Sequence, residues 1–246
     1  MIDRLEVAGV SSRGIVRGRN EDGASVNGHR LVEAQPYALT LAPGKHTLIV
    51  ADGMGGHVRG DLARNLVLQV LEERANDLHN TVSCVEALRA ANLAVYDRAR
   101  EEPAFNAMGC TVVGAAIEGS ACRWFNVGDS RAYHFDGALR QVSRDHVPPT
   151  PDGRRTHSVT QSLGGKPVFQ EIWPASGHFN LRRGDSVLLC SDGLTDVLAD
   201  SEIAAVFAEG FAGTEIVARL LSSCLSKGAP DNVTMVIATL GRQPGA

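Results

Sequence analysis

The stretch that most constrains this chain is Leu48-Ile49-Val50-Ala51-Asp52-Gly53-Met54-Gly55-Gly56. The apolar run from Leu48 to Ala51 reads as a buried strand. It ends in a carboxylate and then in glycines, so the strand is expected to deliver Asp52 from its C-terminal end, at the rim of a core. Gly53, Gly55 and Gly56 tolerate positive φ and let a ligand approach the backbone. Two readings fit Asp52-Gly53: the Asp-Gly turn of a hairpin, or a site for a metal ion or a phosphate. The rest of the chain has to choose between them.

With 246 residues, 43% of them hydrophobic and 21% charged, the chain has material for one large packed domain. Alternation predicts strands at Leu5–Val10, Ala24–Val26, Tyr37–Leu41 and His46–Ala51. A helix from Asp61 to about Ala75 carries Ala63, Leu66, Val67, Val70 and Leu71 on one stripe. A second is expected to start at Ser83, with Glu86 completing a capping box, and to bury Cys84, Leu88, Ala91 and Val95. Cys110–Ile117, Ala121–Val127, Arg131–Phe135 and Leu139–Val142 read as an antiparallel meander. Further strands are predicted at Phe169–Trp173 and Ser186–Cys190, and helices capped by Asp200 and Thr214 follow. Val233–Leu240 is long and β-branched, hence central. Helices in succession and then strands argue for segregated layers, an α+β fold. Between Arg144 and Pro167, prolines and glycines break any regular element, and a loop of that length is usually functional or mobile.

Composition excludes several classes. A net charge of -4 offers nucleic acid no electrostatic footing. The five cysteines are scattered without a C-x-x-C, so neither zinc nor a disulfide framework is indicated, and a reducing cytoplasm is the expected location. Met1 leads directly into a strand pattern, with no signal peptide visible. No apolar run approaches the ~20 residues of a membrane span.

Asp52 is not alone at a strand boundary. Asp129 follows Gly128, Asp192 follows the strand ending at Cys190, and Asp231 precedes the last strand. In an antiparallel sandwich these positions converge on one end. With Glu21 and Asp22 they would repel one another unless a cation lay between them. Oxygen-only ligation selects a hard cation such as Mg²⁺ or Mn²⁺, and a pair of such ions activates water and clamps a phosphoryl group. Nearby, Arg13, Arg17 and Arg19 stand in a Gly-rich segment before Glu21-Asp22, either a solvated charged loop or part of the same site.

The motifs Gly14-x-x-Arg17-x-x-Asn20-Glu21-Asp22, Ala51-Asp52-Gly53-Met54-Gly55-Gly56, Gly109-Cys110-Thr111, Val127-Gly128-Asp129-Ser130-Arg131, Asp145-His146, Ser191-Asp192-Gly193-Leu194 and Pro230-Asp231-Asn232-Val233-Thr234 occur in this order. In them the chain resembles the PP2C (PPM) family of metal-dependent protein Ser/Thr phosphatases, in its bacterial form, over nearly its whole length. The resemblance implies a single domain over residues 1–246: a four-layer α-β-β-α sandwich of two stacked antiparallel sheets flanked by helices, with a flap-like loop at about 144–167. It implies that Asp52 bridges two Mn²⁺ or Mg²⁺ ions while the Gly53 carbonyl ligates one. Glu21 would complete the second ion's shell, with Asp22 acting through water, and Asp192 and Asp231 would hold the first ion. Asp129, with Asp192, would form a third, weaker site. Arg17 would clamp the substrate phosphate, and a metal-bridging hydroxide would attack phosphorus in line, without a phosphoenzyme. Phosphorylated proteins are the implied substrates, a Ser/Thr kinase the implied opponent, and a monomer the implied state.

Two features depart from the pattern. Met54 stands where animal members carry a histidine proposed as general acid, so the leaving-group proton must come from elsewhere; His57 is the nearby candidate, or a surface histidine. The segment 144–167 is shorter and richer in proline than the helical flap of bacterial members. Within it Asp152 is either a third-metal ligand or a turn residue, and Arg154, Arg155 and His157 either meet an acidic partner or are solvated. A binding module on the same fold, without catalysis, is the alternative class; such a protein would be expected to lack ligands such as Asp52, Asp192 or Asp231. The other superfamily of two-metal protein phosphatases is disfavoured, since none of the eight histidines sits in a ligand turn of its kind.

Overall fold

A computed structural model of the chain describes residues 4–55, 59–102, 105–149 and 158–241. The elements, in chain order, are β1 (Leu5–Ser12), β2 (Asp22–Val26), β3 (His29–Arg30), β4 (Tyr37–Leu41), β5 (Lys45–Met54), α1 (Gly60–Glu73), a short 3-10 turn, α2 (Thr81–Glu101), β6 (Gly109–Glu118), β7 (Ala121–Val127), β8 (Arg131–Phe135), β9 (Leu139–Gln141), β10 (Leu163–Gly164), β11 (Ala175–Asn180), β12 (Ser186–Cys190), α3 (Asp192–Thr195), α4 (Asp200–Ala208), α5 (Gly213–Ser226) and β13 (Val233–Leu240). One sheet has the order β4-β1-β13-β12-β8-β9 and the other β11-β7-β6-β5-β2-β3, with β10 added against β6. Neighbours within each sheet are antiparallel.

The layers follow from side-chain alternation along doubly buried strands. In β5, Leu48 and Val50 point into the core between the sheets, while Ile49 and Ala51 point to α1 and α2. In β13, Val236, Ala238 and Leu240 point into the same inter-sheet core, while Met235 and Ile237 meet α4 and α5. Three apolar cores therefore separate four layers, the α-β-β-α sandwich expected. Among the described residues no helix is long and apolar enough to cross a membrane, and all five cysteines are buried free thiols.

Several local expectations are corrected. Asp52 is not released from the end of its strand: β5 continues to Met54, because Glu21 O and the β6 backbone keep hydrogen bonding it. Helix α2 begins at Thr81, where Asn80 Oδ1 accepts from the N–H groups of Val82 and Ser83, so Ser83 is not the cap. Helices α4 and α5 are entered from Ala199 and Ala212 rather than capped by Asp200 and Thr214. Asp200 instead accepts from the Tyr133 hydroxyl at 2.8 Å. The expected meander is divided: β7 and β8 belong to different sheets, and the chain crosses at Gly128-Asp129-Ser130. Phe169–Trp173 is irregular: its Ile172 is buried in the core that α2 covers and its Phe169 ring meets Tyr96 of α2, while the neighbouring strand is β11.

Candidate metal centre and active site

One end of the inter-sheet core turns polar, strand by strand. The residues that continue the inward stripes of β1, β2, β5, β6, β12 and β13 are Ser11, Asp22, Asp52, Thr111, Ser191 and Thr234. Register places them side by side: Asp52 lies opposite Asp22 on one neighbour and Thr111 on the other, and Ser11 lies opposite Thr234. The hydroxyls knit this floor together. Ser11 Oγ and Thr234 Oγ1 are 2.8 Å apart, and Ser191 Oγ donates to Asp22 Oδ2 at 2.6 Å. Like charges directly across strands destabilise a sheet, so Asp22 opposite Asp52 is a feature that folding alone would not favour.

Above this floor opens a cavity of about 620 Å³ lined by Arg17, Glu21, Asp52, Gly53, Asp129, Asp192 and Asp231 among others. Asp22 lies beneath it, 2% exposed. Burial and then the charges of Asp22, Asp192, Asp129 and Asp231 hold the Asp52 carboxyl well above the ordinary aspartate range. Burial, then Asp129 and Asp196, push Asp192 up to about 8. Asp22 is pushed up to about 6 by burial, against the lowering hydrogen bonds of Ser191 and Thr234. The crowding is therefore electrostatically unfavourable in the protein by itself.

A divalent cation fits this donor set. The ring offers oxygen ligands without histidine or cysteine, the preference of Mg²⁺ and Mn²⁺, and a cation relieves the repulsion recorded in the raised carboxyls. No three of the described His, Cys, Asp and Glu side chains converge on a single point as they stand. Their carboxylates are directed instead to protein donors: Asp231 Oδ2 accepts from Arg17 Nη2 at 2.5 Å, and Glu21 Oε1 from the Gly60 N–H at 3.1 Å. The fit rests on donor chemistry and charge rather than on preformed coordination.

The loop that carries Arg17 is built against the Pro230-Asp231-Asn232 turn. Asn232 Nδ2 donates to the carbonyls of both Arg13 and Arg19, at 2.9 Å each, and its Oδ1 accepts from Glu21 N–H at 2.8 Å. Gly14 has φ 74°, and a Cβ there would lie 2.2 Å from the Asp231 carbonyl oxygen, so no other residue fits. Asp129 is placed by a second clamp. Gly128, at φ 110°, donates to His146 Nδ1 at 3.0 Å and its carbonyl accepts from His146 N–H at 2.9 Å. Burial, then Arg144, lower the His146 pKa, which suits a neutral ring that accepts. Arg131 grips both oxygens of Asp145 and so fixes the chain just before His146.

The expected residues Arg17, Glu21, Asp22, Asp52, Gly53, Asp129, Asp192 and Asp231 are thus gathered at one end of the sandwich. His57, Asp152, Arg154 and Arg155 lie outside the described residues. Sequence reasoning missed Asn232 as the keystone of the Arg17 loop, Ser191 and Thr234 as donors to Asp22, and Asp196 as a further carboxylate on the cavity. The Asp192-x-x-x-Asp196 spacing was the available signal for the last, since i and i+4 share a helical face.

Fold and site together define a carboxylate-rimmed cation cavity at the end of a β-sandwich. The chain belongs to the protein phosphatase 2C family, whose pattern matches residues 37–232. The serine/threonine protein phosphatase PstP of Mycobacterium tuberculosis is 32% identical over 252 residues, which span 95% of this chain and 45% of PstP. This chain therefore spans somewhat less than half the length of that relative. The serine/threonine phosphatase stp of Listeria monocytogenes is 26% identical over 248 residues, 92% of each chain. The crystal structure of the catalytic domain of PstP in complex with two manganese ions superposes with a TM-score of 0.78 at 32% identity, covering 98% of this chain and 100% of that one.

Proposed function

We propose that this chain is a single catalytic domain that hydrolyses phosphoserine and phosphothreonine in proteins with Mn²⁺ or Mg²⁺ as cofactor. The observation that carries the reading is one cavity of about 620 Å³ on which oxygen-only ligands and a guanidinium meet. In this reading Asp52 would be shared by two ions, the Gly53 carbonyl would serve one of them, Glu21 would complete the second ion's shell with Asp22 acting through water, and Asp192 and Asp231 would hold the first ion. Asp129, with Asp192, offers a third and weaker site. The manganese ions carried by the PstP catalytic domain support the count of two. Bound cations supply Lewis-acid polarisation of the phosphoryl group and a water of lowered pKa.

The chain's own residues do the rest. Arg17 presents a planar fork to two phosphate oxygens, which requires it to exchange Asp231 for substrate. In this reading an activated water is the nucleophile and no phosphoenzyme forms; the described residues lining the cavity include no serine, cysteine or histidine. Met54 points its methyl towards Gly109 and Gly165 and has no proton to donate, so the proton for the leaving serine or threonine oxygen comes from water at the centre or from another group. The described ends of the segment 144–167 are anchored beside the cavity: Thr160 N–H donates to the His146 carbonyl at 2.7 Å, Gly165 N–H donates to Met108 O at 2.8 Å, and Val159 lines the cavity wall. The buried free cysteines fit a reducing cytoplasm; a monomeric state and an opposing Ser/Thr kinase are further parts of the proposal. The test is phosphate release from a phosphothreonine peptide by purified protein with Mn²⁺. Turnover that survives Asp52→Asn, or none in the parent protein, refutes the reading.

A further inference from the structure

Arg17 and the carboxylates account for only part of the loop between β1 and β2. Arg13, Ile15, Val16 and Arg19 have no role in the centre, yet their backbone is held more firmly than that of a solvated loop. Its ends are tied by one amide, Asn232 Nδ2, to the carbonyls of Arg13 and Arg19. Its turn is pressed on the Asp231 carbonyl by Gly14, and Ile15 N–H donates to Ala229 O at 3.1 Å. The side chains on this fixed frame are bare. Ile15 is 59% and Val16 69% exposed, and among the described residues nothing pairs with the guanidinium of Arg13 or Arg19. An apolar pair flanked by unpaired cations, on a pre-ordered backbone that adjoins a catalytic cavity, has the makeup of a recognition surface.

We infer that this loop reads the substrate chain beside the phosphorylated residue, taking an apolar side chain against Ile15 and Val16 and an acidic group on Arg13 and Arg19. The inference deepens the phosphatase reading and rests on it. Charge complementarity names the occupant. The chain as a whole is net negative, but from Ser11 to Asn20 it carries three arginines and no acid. Arg19 stands two and Arg13 four residues from Arg17 along the chain, so residues flanking a phosphate held at Arg17 are the ones that can reach them. The acidic group is a carboxylate or a second phosphate, since a guanidinium accepts either.

The experiment compares matched phosphothreonine peptides that differ only in their flanks: Asp/Glu, a second phosphoserine, Ser/Gln, or Lys. With Mn²⁺ and the whole chain, kcat/KM is expected to be at least tenfold higher for the first two than for the lysine peptide, carried by KM. Arg13→Gln with Arg19→Gln should bring the ratio to near one, and Arg13→Glu with Arg19→Glu should invert it, at an unchanged melting temperature. Ile15→Ser with Val16→Ser should weaken peptides with an apolar flank and spare those without. Anisotropy of fluorescent versions of the same peptides measures the preference independently of turnover. Protein that turns over none of them refutes the phosphatase reading, while the ratio of dissociation constants still decides the loop. Equal losses on every peptide, or a preference that survives charge reversal, overturns the inference. Binding of the arginine loop to anionic vesicles, with no preference among peptides, overturns it as well.

Discussion

Asn232 shows how a neutral side chain can govern a charged site. It is 5% exposed and links three backbone groups of the Arg13–Glu21 segment. Truncation leaves the Glu21 N–H and two carbonyls without their partner, and each such group when buried costs about 1–3 kcal/mol. Asn232→Ala is therefore expected to lose about 2 kcal/mol in urea unfolding. Its kcat/KM on a phosphopeptide should fall about 10–100-fold, as for other residues that orient ligands without touching the substrate. Asn232→Asp keeps the acceptor for Glu21 and loses both donors, so it should fail nearly as badly. A variant as stable and active as the parent would mean that Gly14 and Ile15 hold the loop unaided.

At the level of elements, the centre depends on how closely α1 approaches β5. A Cβ on Gly53 would lie 2.1 Å from the Gly60 carbonyl oxygen and 2.8 Å from that of Glu21. Both are backbone atoms, so neither can step aside without moving α1 or the entry to β2. Gly53→Ala should therefore cost at least about 3 kcal/mol, the upper range of overpacking, and break the Gly60–Glu21 contact. Gly18→Ala, with nothing within 4 Å of the added methyl, should lie within about 0.5 kcal/mol of the parent. The same approach explains what was legible beforehand. The β-branched run of β13 and the 48–51 run of β5 announced themselves because both faces are apolar. That Asp52 lies inside its strand was hidden, because glycines after a carboxylate look like a turn; here Gly53 serves a close helix contact. Alternation would have revealed the polar floor, since Leu48, Val50 and Asp52 share a face, but only once the sheets were known to stack. Phe169–Trp173 misled because an apolar segment can plug a helix face without pairing. The crossing at Gly128 was invisible because a change of sheet and a tight turn share the same residues.

For the whole molecule, the sandwich closes well over its three apolar cores and poorly over its acidic end, and that imbalance should be measurable as a dependence on pH. Asp22 and Asp192 stand at about 6 and about 8, against an ordinary value of 3.8, and Asp52 is raised as well. The folded protein then holds more protons than the unfolded chain, so stability falls as pH rises. The favourable contribution is complete below the ordinary aspartate value and is lost as pH passes through about 6 and then about 8. His146 has the opposite sign: its lowered pKa contributes stability that is complete above 6.5 and is lost only on acidification, so it does not act in this window. With EDTA present, the melting temperature should therefore drop between about pH 6 and about pH 8, a span over which Asp192 keeps its proton only in the folded protein. Mn²⁺ binds the ionised carboxylates, so the rise it causes should grow with pH and flatten the profile. Asp192→Asn, which removes the titration at about 8 without changing shape, should raise the melting temperature in EDTA at about pH 9 and shrink the gain from Mn²⁺. A melting temperature in EDTA that is level across this range would mean that the carboxylates are not crowded in solution, and the electrostatic case for the metal centre would fall with it.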